Sequence, residues 1–213
     1  HPSLEDDLYP RNFIVSLPQP EGYFGASILF SSGLSELFVQ EIPDERTDLL
    51  FNMTATENLA RAVDEFVLCC SIRNLRGDRG KPMSMLIHIS HKIVDMETIN
   101  GIVNTYCSVL KTRMNDAFGK DRLMSEFLNI YNEVKLKGES ISNALGLRSI
   151  YPDFQSICGD VQDVVNSLRV VELNSNSDDT LDYSVESDIK VIAIGGNQLS
   201  RGLTLEGLMM SYY

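Results

Sequence analysis

Residues 191–213 read VIAIGGNQLSRGLTLEGLMMSYY, in which two apolar runs are separated by glycines and polar residues. The first run predicts a β-strand that is buried on both faces, as is typical of a parallel sheet. Gly195 and Gly196 predict a tight turn at its carboxyl end, where open α/β sheets bind ligands. A short helix around Gln198–Leu205 and a last strand over Leu208–Tyr212 complete the strand–turn–helix–strand order of a doubly wound fold.

The rest of the chain contains two more candidate strands of such a sheet. We predict an α/β fold with a mainly parallel sheet of four strands, Met85–Ser90, Leu168–Leu173, Lys190–Ile194 and Leu208–Tyr212. Thr56 is a candidate N-cap for an amphipathic helix that continues to about Leu75. Gly77 and Gly80 then predict a basic turn.

The chain is expected to contain an arm and one domain. Four prolines lie within residues 1–25, which predicts an extended or irregular N-terminal arm over residues 1–55. Residues 56–213 form the expected α/β lobe. Residues 121–166 are interpreted as wholly helical, so a helical insertion is expected at about residues 115–165.

Composition excludes several classes of protein. The 213 residues include 18 Lys and Arg against 30 Asp and Glu, a net charge of −12. A broad basic surface for nucleic acid is therefore excluded, and any such contact is expected to be local or shared with other parts of a longer protein. No apolar run reaches the roughly 18 residues of a membrane helix. With no secretory signal at its start, the chain is expected to be a cytoplasmic segment excised from a longer protein, without a membrane partner.

Three segments resemble a known family. They are DLYPRNFIV at Asp7–Val15 with GYFG at Gly22–Gly25, SMLIHIS at Ser84–Ser90, and above all IGGNQLSRGLTLEGL at Ile194–Leu208. Together they resemble the Z-one endonuclease-type domain, which occurs in bacterial proteins with superfamily two helicase motifs. Met85–Ser90 resembles helicase motif IV, and Leu199–Leu205 resembles motif V. The resemblance spans essentially the entire chain and implies a RecA-like helicase C-terminal lobe.

The resemblance also implies site residues. Nucleic-acid contacts are expected at Gly195, Gly196 and Asn197, and nucleotide contacts at Arg201, Gly202 and Thr204. Asn197 and Thr204 stand where helicases carry acidic residues, and their amide and hydroxyl groups still offer hydrogen bonds to phosphate or sugar. From their position at a strand's carboxyl end, Ser90, His91 and Lys92 are further candidates for nucleic-acid contact.

The function implied by the resemblance is that of the second motor lobe of a bacterial helicase-like ATPase, a hydrolase acting on DNA in restriction or phage defence. ATP and Mg²⁺ are the implied cofactors of the full-length protein, and an N-terminal helicase lobe of the same chain is the implied partner. No phosphate loop, Asp-Glu-x-His box or Gln-x-x-Gly-Arg motif occurs in the sequence. The isolated chain is therefore expected to bind no cofactor and to hydrolyse no ATP.

Two alternatives remain open. The first is a metal-dependent endonuclease module, in which Asp153 and Asp188 hold Mg²⁺ and Lys190 polarises a phosphate. Because Asp153 lies in the expected helical insertion, we expect these side chains not to converge and no metal site to form. The second is a non-catalytic interaction domain, in which the acidic surface contacts basic partners and the glycines are structural.

Overall fold

The computed structural model describes residues 25–31, 33–173, 188–195 and 205–213, with Pro18, Leu181 and Tyr183 as single residues. The chain divides between Gln40 and Glu41 into two units. The first unit contains two short helices, α1 (Ala26–Ser31) and α2 (Ser35–Phe38). With α3 of the second unit, three helices thus occur in the segment expected to be an extended or irregular arm.

The second unit contains five helices and four strands in its described part. The helices are α3 (Arg46–Asn52), α4 (Glu57–Arg73), α5 (Ile93–Asn115), α6 (Ala117–Ala144) and α7 (Phe154–Ser167). The strands are β1 (Met83–Ile87), β2 (Arg169–Leu173), β3 (Lys190–Gly195) and β4 (Leu208–Tyr212). Over the residues that were searched, no helix is long and apolar enough to cross a bilayer.

All four strands lie in one sheet, in the order β2-β3-β1-β4, and every pair is parallel. This confirms the predicted α/β class and the predicted set of strands. The first strand begins at Met83, two residues before the predicted start, because the Met83 amide donates to the Ile189 carbonyl at 2.8 Å. It ends at Ile87 rather than Ser90, and Ile89 leaves the sheet to line a pocket.

The two faces of the sheet are covered by different parts of the chain. Residues paired in register point to the same face. Met85 and Ile192 pair in this way and belong to the main core, which they share with helices α3–α7. Val171 and Ala193 pair on the opposite face and pack with Leu181, Tyr183 and Leu205.

The connections between strands leave the sheet centre in opposite directions. From β1 the chain passes through α5, α6 and α7 to β2 at one edge, whereas from β3 it continues to β4 at the other edge. Helices α5–α7 pack on the main-core face, and Leu205, which precedes β4, packs on the opposite face, as right-handed connections predict. The carboxyl ends of β1 and β3 therefore form a topological switch point, the usual ligand-binding crevice of such sheets.

Helix α4 begins as predicted and ends slightly earlier. The Thr56 side chain accepts a hydrogen bond from the Leu59 amide at 3.3 Å, which confirms the N-cap. The α-helix ends at Arg73, and a π-helical turn over Asn74–Asp78 follows it. Gly77 in this turn has a φ of 100°, a left-handed conformation that glycine adopts without strain.

The prediction that residues 121–166 are wholly helical is wrong. Residues 145–153 are not helical and separate α6 from α7. Gly146, with a φ of 65°, follows the end of α6. Asp153 caps α7 by accepting a hydrogen bond from the Ser156 amide at 2.9 Å.

Candidate functional site at the carboxyl edge of the sheet

His88 connects the ends of three strands at the switch point. Its Nδ1 lies 2.6 Å from the carbonyl oxygen of Gly195, the last residue of β3, and its amide donates to the Tyr212 carbonyl at 2.8 Å. Because a carbonyl oxygen only accepts, the first contact requires a proton on Nδ1. We call this region, where β1, β3 and β4 end near His88, Ser90, Gly195 and Tyr212, the carboxyl edge.

The three predicted contact residues after β1 differ in their exposure. Ser90 is buried; its hydroxyl donates to Asp95 Oδ2 at 2.6 Å and accepts from the Lys92 amide at 3.2 Å. It therefore stabilises the start of α5 rather than facing solvent. His91 and Lys92 are exposed at the carboxyl edge, where they are accessible to a ligand.

Asp95 orients a guanidinium group from α3. Arg46 Nη2 lies 2.7 Å from Asp95 Oδ2, and 38% of the Arg46 side chain is exposed. The hydrogen bond from Ser90 lowers the pKa of Asp95, and Arg46 lowers it further against the opposing effect of burial. Arg46 is a candidate that sequence reasoning missed, because 49 residues separate it from Asp95 and no local motif links them.

Glu45 forms a second polar network next to Arg46. Its carboxylate accepts from the Tyr212 hydroxyl at 2.6 Å, from Asn58 Nδ2 at 2.6 Å and from the Thr56 hydroxyl. Burial alone would raise the pKa of Glu45, but these hydrogen bonds outweigh burial and lower it. The network joins the start of α3, the start of α4 and the end of β4.

Replacing Glu45 with alanine is expected to lower the melting temperature by about 3–6 °C at neutral pH, because three donors lose their acceptor. The folded-state pKa of Glu45 lies below the unfolded value. Its stabilising effect is therefore present above about pH 4.5 and disappears as the pH falls through the lower folded pKa. Thermal denaturation at several pH values measures both effects, with the exposed Glu97→Ala on α5 as the control. An equal loss in both variants would contradict the prediction.

A pocket of about 380 Å³ opens beside these two networks. The residues around it come from the segment before and within α3 and from the ends of β1 and β4: Ile42, Pro43, Asp44, Glu45, Arg46, Leu49, Ile89, Tyr212 and Tyr213. The Tyr213 residue is 72% exposed, and its ring meets the His88 ring edge-on, with centroids 6.1 Å apart. We call this the edge pocket.

The predicted motif V contacts follow directly on from Gly195. Gly195 itself is the buried last residue of β3. The other predicted contacts lie outside the residues that the structure describes: Gly196, Asn197, Arg201, Gly202 and Thr204. Their roles remain predictions from the sequence.

Of the three residues of the endonuclease alternative, Asp188 and Lys190 contact each other, whereas Asp153 has its own local partner. Asp153 caps α7, and its hydrogen bonds to Ser156 lower its pKa. Lys190 is buried at the amino end of β3 and forms an ion pair with Asp188. Among the residues described, no group of three or more His, Cys, Asp or Glu side chains is placed to hold a metal ion.

The comparisons with known proteins gave one match. A family model, the Z1 domain, matches residues 58–213. No curated protein matches the chain, and no solved structure matches it. The matched region runs from the first turn of α4 to the end of β4, so it contains the whole sheet, whereas Glu45 and Arg46 lie before it. Because the match covers more than half of its length, the chain belongs to the Z1 domain family.

Proposed function

We propose that this chain is the second motor lobe, with a RecA-like fold, of a bacterial superfamily two helicase-like ATPase that acts on DNA in restriction or phage defence. The longer protein would supply the first lobe, and ATP and Mg²⁺ would bind between the lobes. The observation that supports this proposal is the adjacency of β1 and β3. The segment that resembles motif IV begins within β1, the segment that resembles motif V follows β3 in sequence, and the two strands end together at the switch point.

The groups around the switch point suit phosphate-containing ligands. Lys92 is an exposed cation at this edge, and the segment that resembles motif V continues from Gly195. In the proposal, Gly196 and Asn197 contact the nucleic-acid backbone, while Arg201 and Gly202 lie near the nucleotide. The net charge of −12 keeps such contacts local, so the first lobe would share the binding of DNA.

Replacing Arg201 with alanine in the longer protein is expected to lower DNA-stimulated ATP turnover by about tenfold or more, because the guanidinium would stabilise charge that develops on the phosphate. The melting temperature of the chain is expected to stay unchanged. The matched control is Arg122→Ala on α6, where the side chain is 83% exposed. If Arg201→Ala instead lowers the melting temperature by several degrees, the residue is structural and the nucleotide role is wrong.

The proposal as a whole is tested by ATP hydrolysis. The longer protein is expected to hydrolyse ATP in a DNA-dependent manner, whereas this chain alone is expected to be inactive. A longer protein with no ATP turnover in the presence of DNA would refute the motor function. Mg²⁺-dependent cleavage of DNA by this chain, lost on Asp188→Ala, would instead establish the endonuclease alternative.

A further inference from the structure

We propose that the edge pocket binds one nucleotide unit, with the base against the Tyr213 ring and the phosphate at the Arg46 guanidinium. An aromatic ring beside a guanidinium suits planar anions in general; the choice of a nucleotide among them rests on the proposed function. Two sources supply this chemistry, a strand of DNA or a free nucleotide such as ATP. The pocket lies within the residues described and requires none of the residues of the segment that resembles motif V.

The walls of the edge pocket suit a planar aromatic group. Ile42, Pro43 and Ile89 give it apolar surface, and Tyr213 adds an aromatic ring that is largely exposed. Every nucleobase has a π-face that stacks on such a ring whatever the base identity. The volume of about 380 Å³ lies near the lower end of the range for small-molecule sites, which fits one nucleotide rather than a longer segment.

Arg46 supplies the anion-binding group. A guanidinium carries five N–H donors, and among the residues that the structure describes only Nη2 of Arg46 is hydrogen-bonded to a side chain, that of Asp95. The Ser90 hydroxyl holds Asp95 in place, so the guanidinium is oriented before a ligand arrives. Because its side chain is 38% exposed and lines the edge pocket, the remaining donors are accessible to phosphate oxygens.

Two carboxylates decide which phosphate ligand fits. Asp44 and Glu45 line the same pocket as Arg46. Three hydrogen bonds satisfy the Glu45 carboxylate, but its negative charge remains. A triphosphate brings several negative charges close to these carboxylates, and inorganic phosphate has no base to stack, whereas a phosphodiester of DNA carries one negative charge next to a base that stacks. Single-stranded DNA is the favoured source of the nucleotide unit.

The chain contains no tryptophan, so a single engineered one reports on the edge pocket alone. In the Tyr213→Trp chain, a short oligothymidylate is expected to quench fluorescence in a saturable manner, with weaker quenching by ATP and none by inorganic phosphate. The control is Phe118→Trp on α6, where the residue is 88% exposed and no saturable quenching is expected. Saturation by ATP alone would identify the free nucleotide as the source. No saturation by either ligand would overturn the inference.

A second substitution tests the phosphate contact. Arg46→Ala in the Tyr213→Trp background is expected to raise the Kd for oligothymidylate about fivefold or more and to leave the Kd for the nucleoside thymidine unchanged. The matched control is Arg113→Ala, which also breaks an ion pair, that of 2.8 Å with Glu126. Arg113 lies at the far end of α5, about 27 Å along the helix from Asp95. Equal weakening in both variants, or an unchanged Kd in Arg46→Ala, would show that no phosphate binds at Arg46.

The outcome for the edge pocket is separable from that for the motor function. Saturable quenching by DNA in this chain, together with no ATP turnover by the longer protein, would retain the pocket and refute the motor. DNA-stimulated ATP turnover by the longer protein, together with no quenching in the Tyr213→Trp chain, would retain the motor function and refute the edge pocket as a nucleotide site. The melting temperature of each variant shows whether it remains folded.

Discussion

Replacing Gly207 with alanine is expected to lower the free energy of unfolding by about 3–5 kcal/mol, through backbone strain and steric overlap. Gly207 precedes β4 with a φ of 64°, and a Cβ atom there would overlap the carbonyl oxygen of Pro82. The Gly207 carbonyl also accepts from the Ser84 amide at 2.9 Å, so the backbone cannot move away without losing a contact between β1 and β4. Urea denaturation measures the change.

Gly146→Ala is the matched control for this prediction. Gly146 has nearly the same φ, 65°, but an added Cβ would have no heavy atom within 4 Å. That variant therefore reports the cost of the left-handed conformation alone, which is about 1–2 kcal/mol. If the two substitutions prove equally destabilising, the close approach of Pro82 has no energetic effect and the prediction is wrong.

Asp64→Asn is expected to stabilise the protein at about pH 8 by a few kcal/mol and to have almost no effect near pH 4. Asp64 lies on α4, and its side chain accepts from the Tyr106 hydroxyl of α5 at 2.9 Å. Burial raises the pKa of Asp64 to about 7, although Tyr106 and Arg113 oppose the effect. The folded protein therefore binds the proton more tightly than the unfolded chain, and stability falls as the pH rises from about 4 to 7.

The readout is the difference in unfolding free energy between Asp64→Asn and the unmodified chain at several pH values. This difference is expected to grow between about pH 4 and pH 7 and then to stay constant, because the other carboxylates are common to both proteins. Asp121→Asn, at an exposed position of α6, is the control and is expected to give no such profile. A difference that does not change with pH would mean that the Asp64 carboxyl ionises normally.

The centre of the sheet was predictable because β1 and β3 are short, largely apolar runs that are buried along their whole length. For a run such as Lys190–Gly195, the short length and the following Gly195-Gly196 pair favour a strand covered on both faces over a buried helix. Strand boundaries were less accurate. At β1, the periodicity does not distinguish Ile89, which lines the edge pocket, from Ile87, which lies in the core.

The break between α6 and α7 shows a different limit. Gly146 and Pro152 are helix-breaking signals, but the two apolar stripes on either side of them led to the prediction that the whole of residues 121–166 is helical. Contacts from distant residues stabilise the segment between them: Arg76 Nε donates to the Ile150 carbonyl at 2.6 Å, and its guanidinium lies over the Tyr151 ring at 4.6 Å. Residues separated by more than 70 positions make these contacts, so no local pattern reveals them.

The candidate site was only partly predictable for the same reason. Because Ser90, His91 and Lys92 come at the end of a predicted strand or just after it, the sequence predicted them at the ligand-binding edge of the sheet. Arg46 and Glu45 were missed because they lie in a segment without strong periodicity, and their partners, Asp95 and Tyr212, are distant in sequence. Such contacts require tertiary packing to be known first.

The strand order also has a consequence for biosynthesis. Met83 of β1 pairs with Lys190 of β3, and their residue numbers differ by 107. At the usual rate of translation, β1 leaves the ribosome about 5–20 s before its central partner has been made. Helix α4 is made before β1, and helices α5–α7 are made within that interval, so these helices can cover the main-core face of β1 while its backbone edges remain unpaired. A nascent chain that stalls before β3 would thus expose an apolar strand, which makes it a substrate for chaperones.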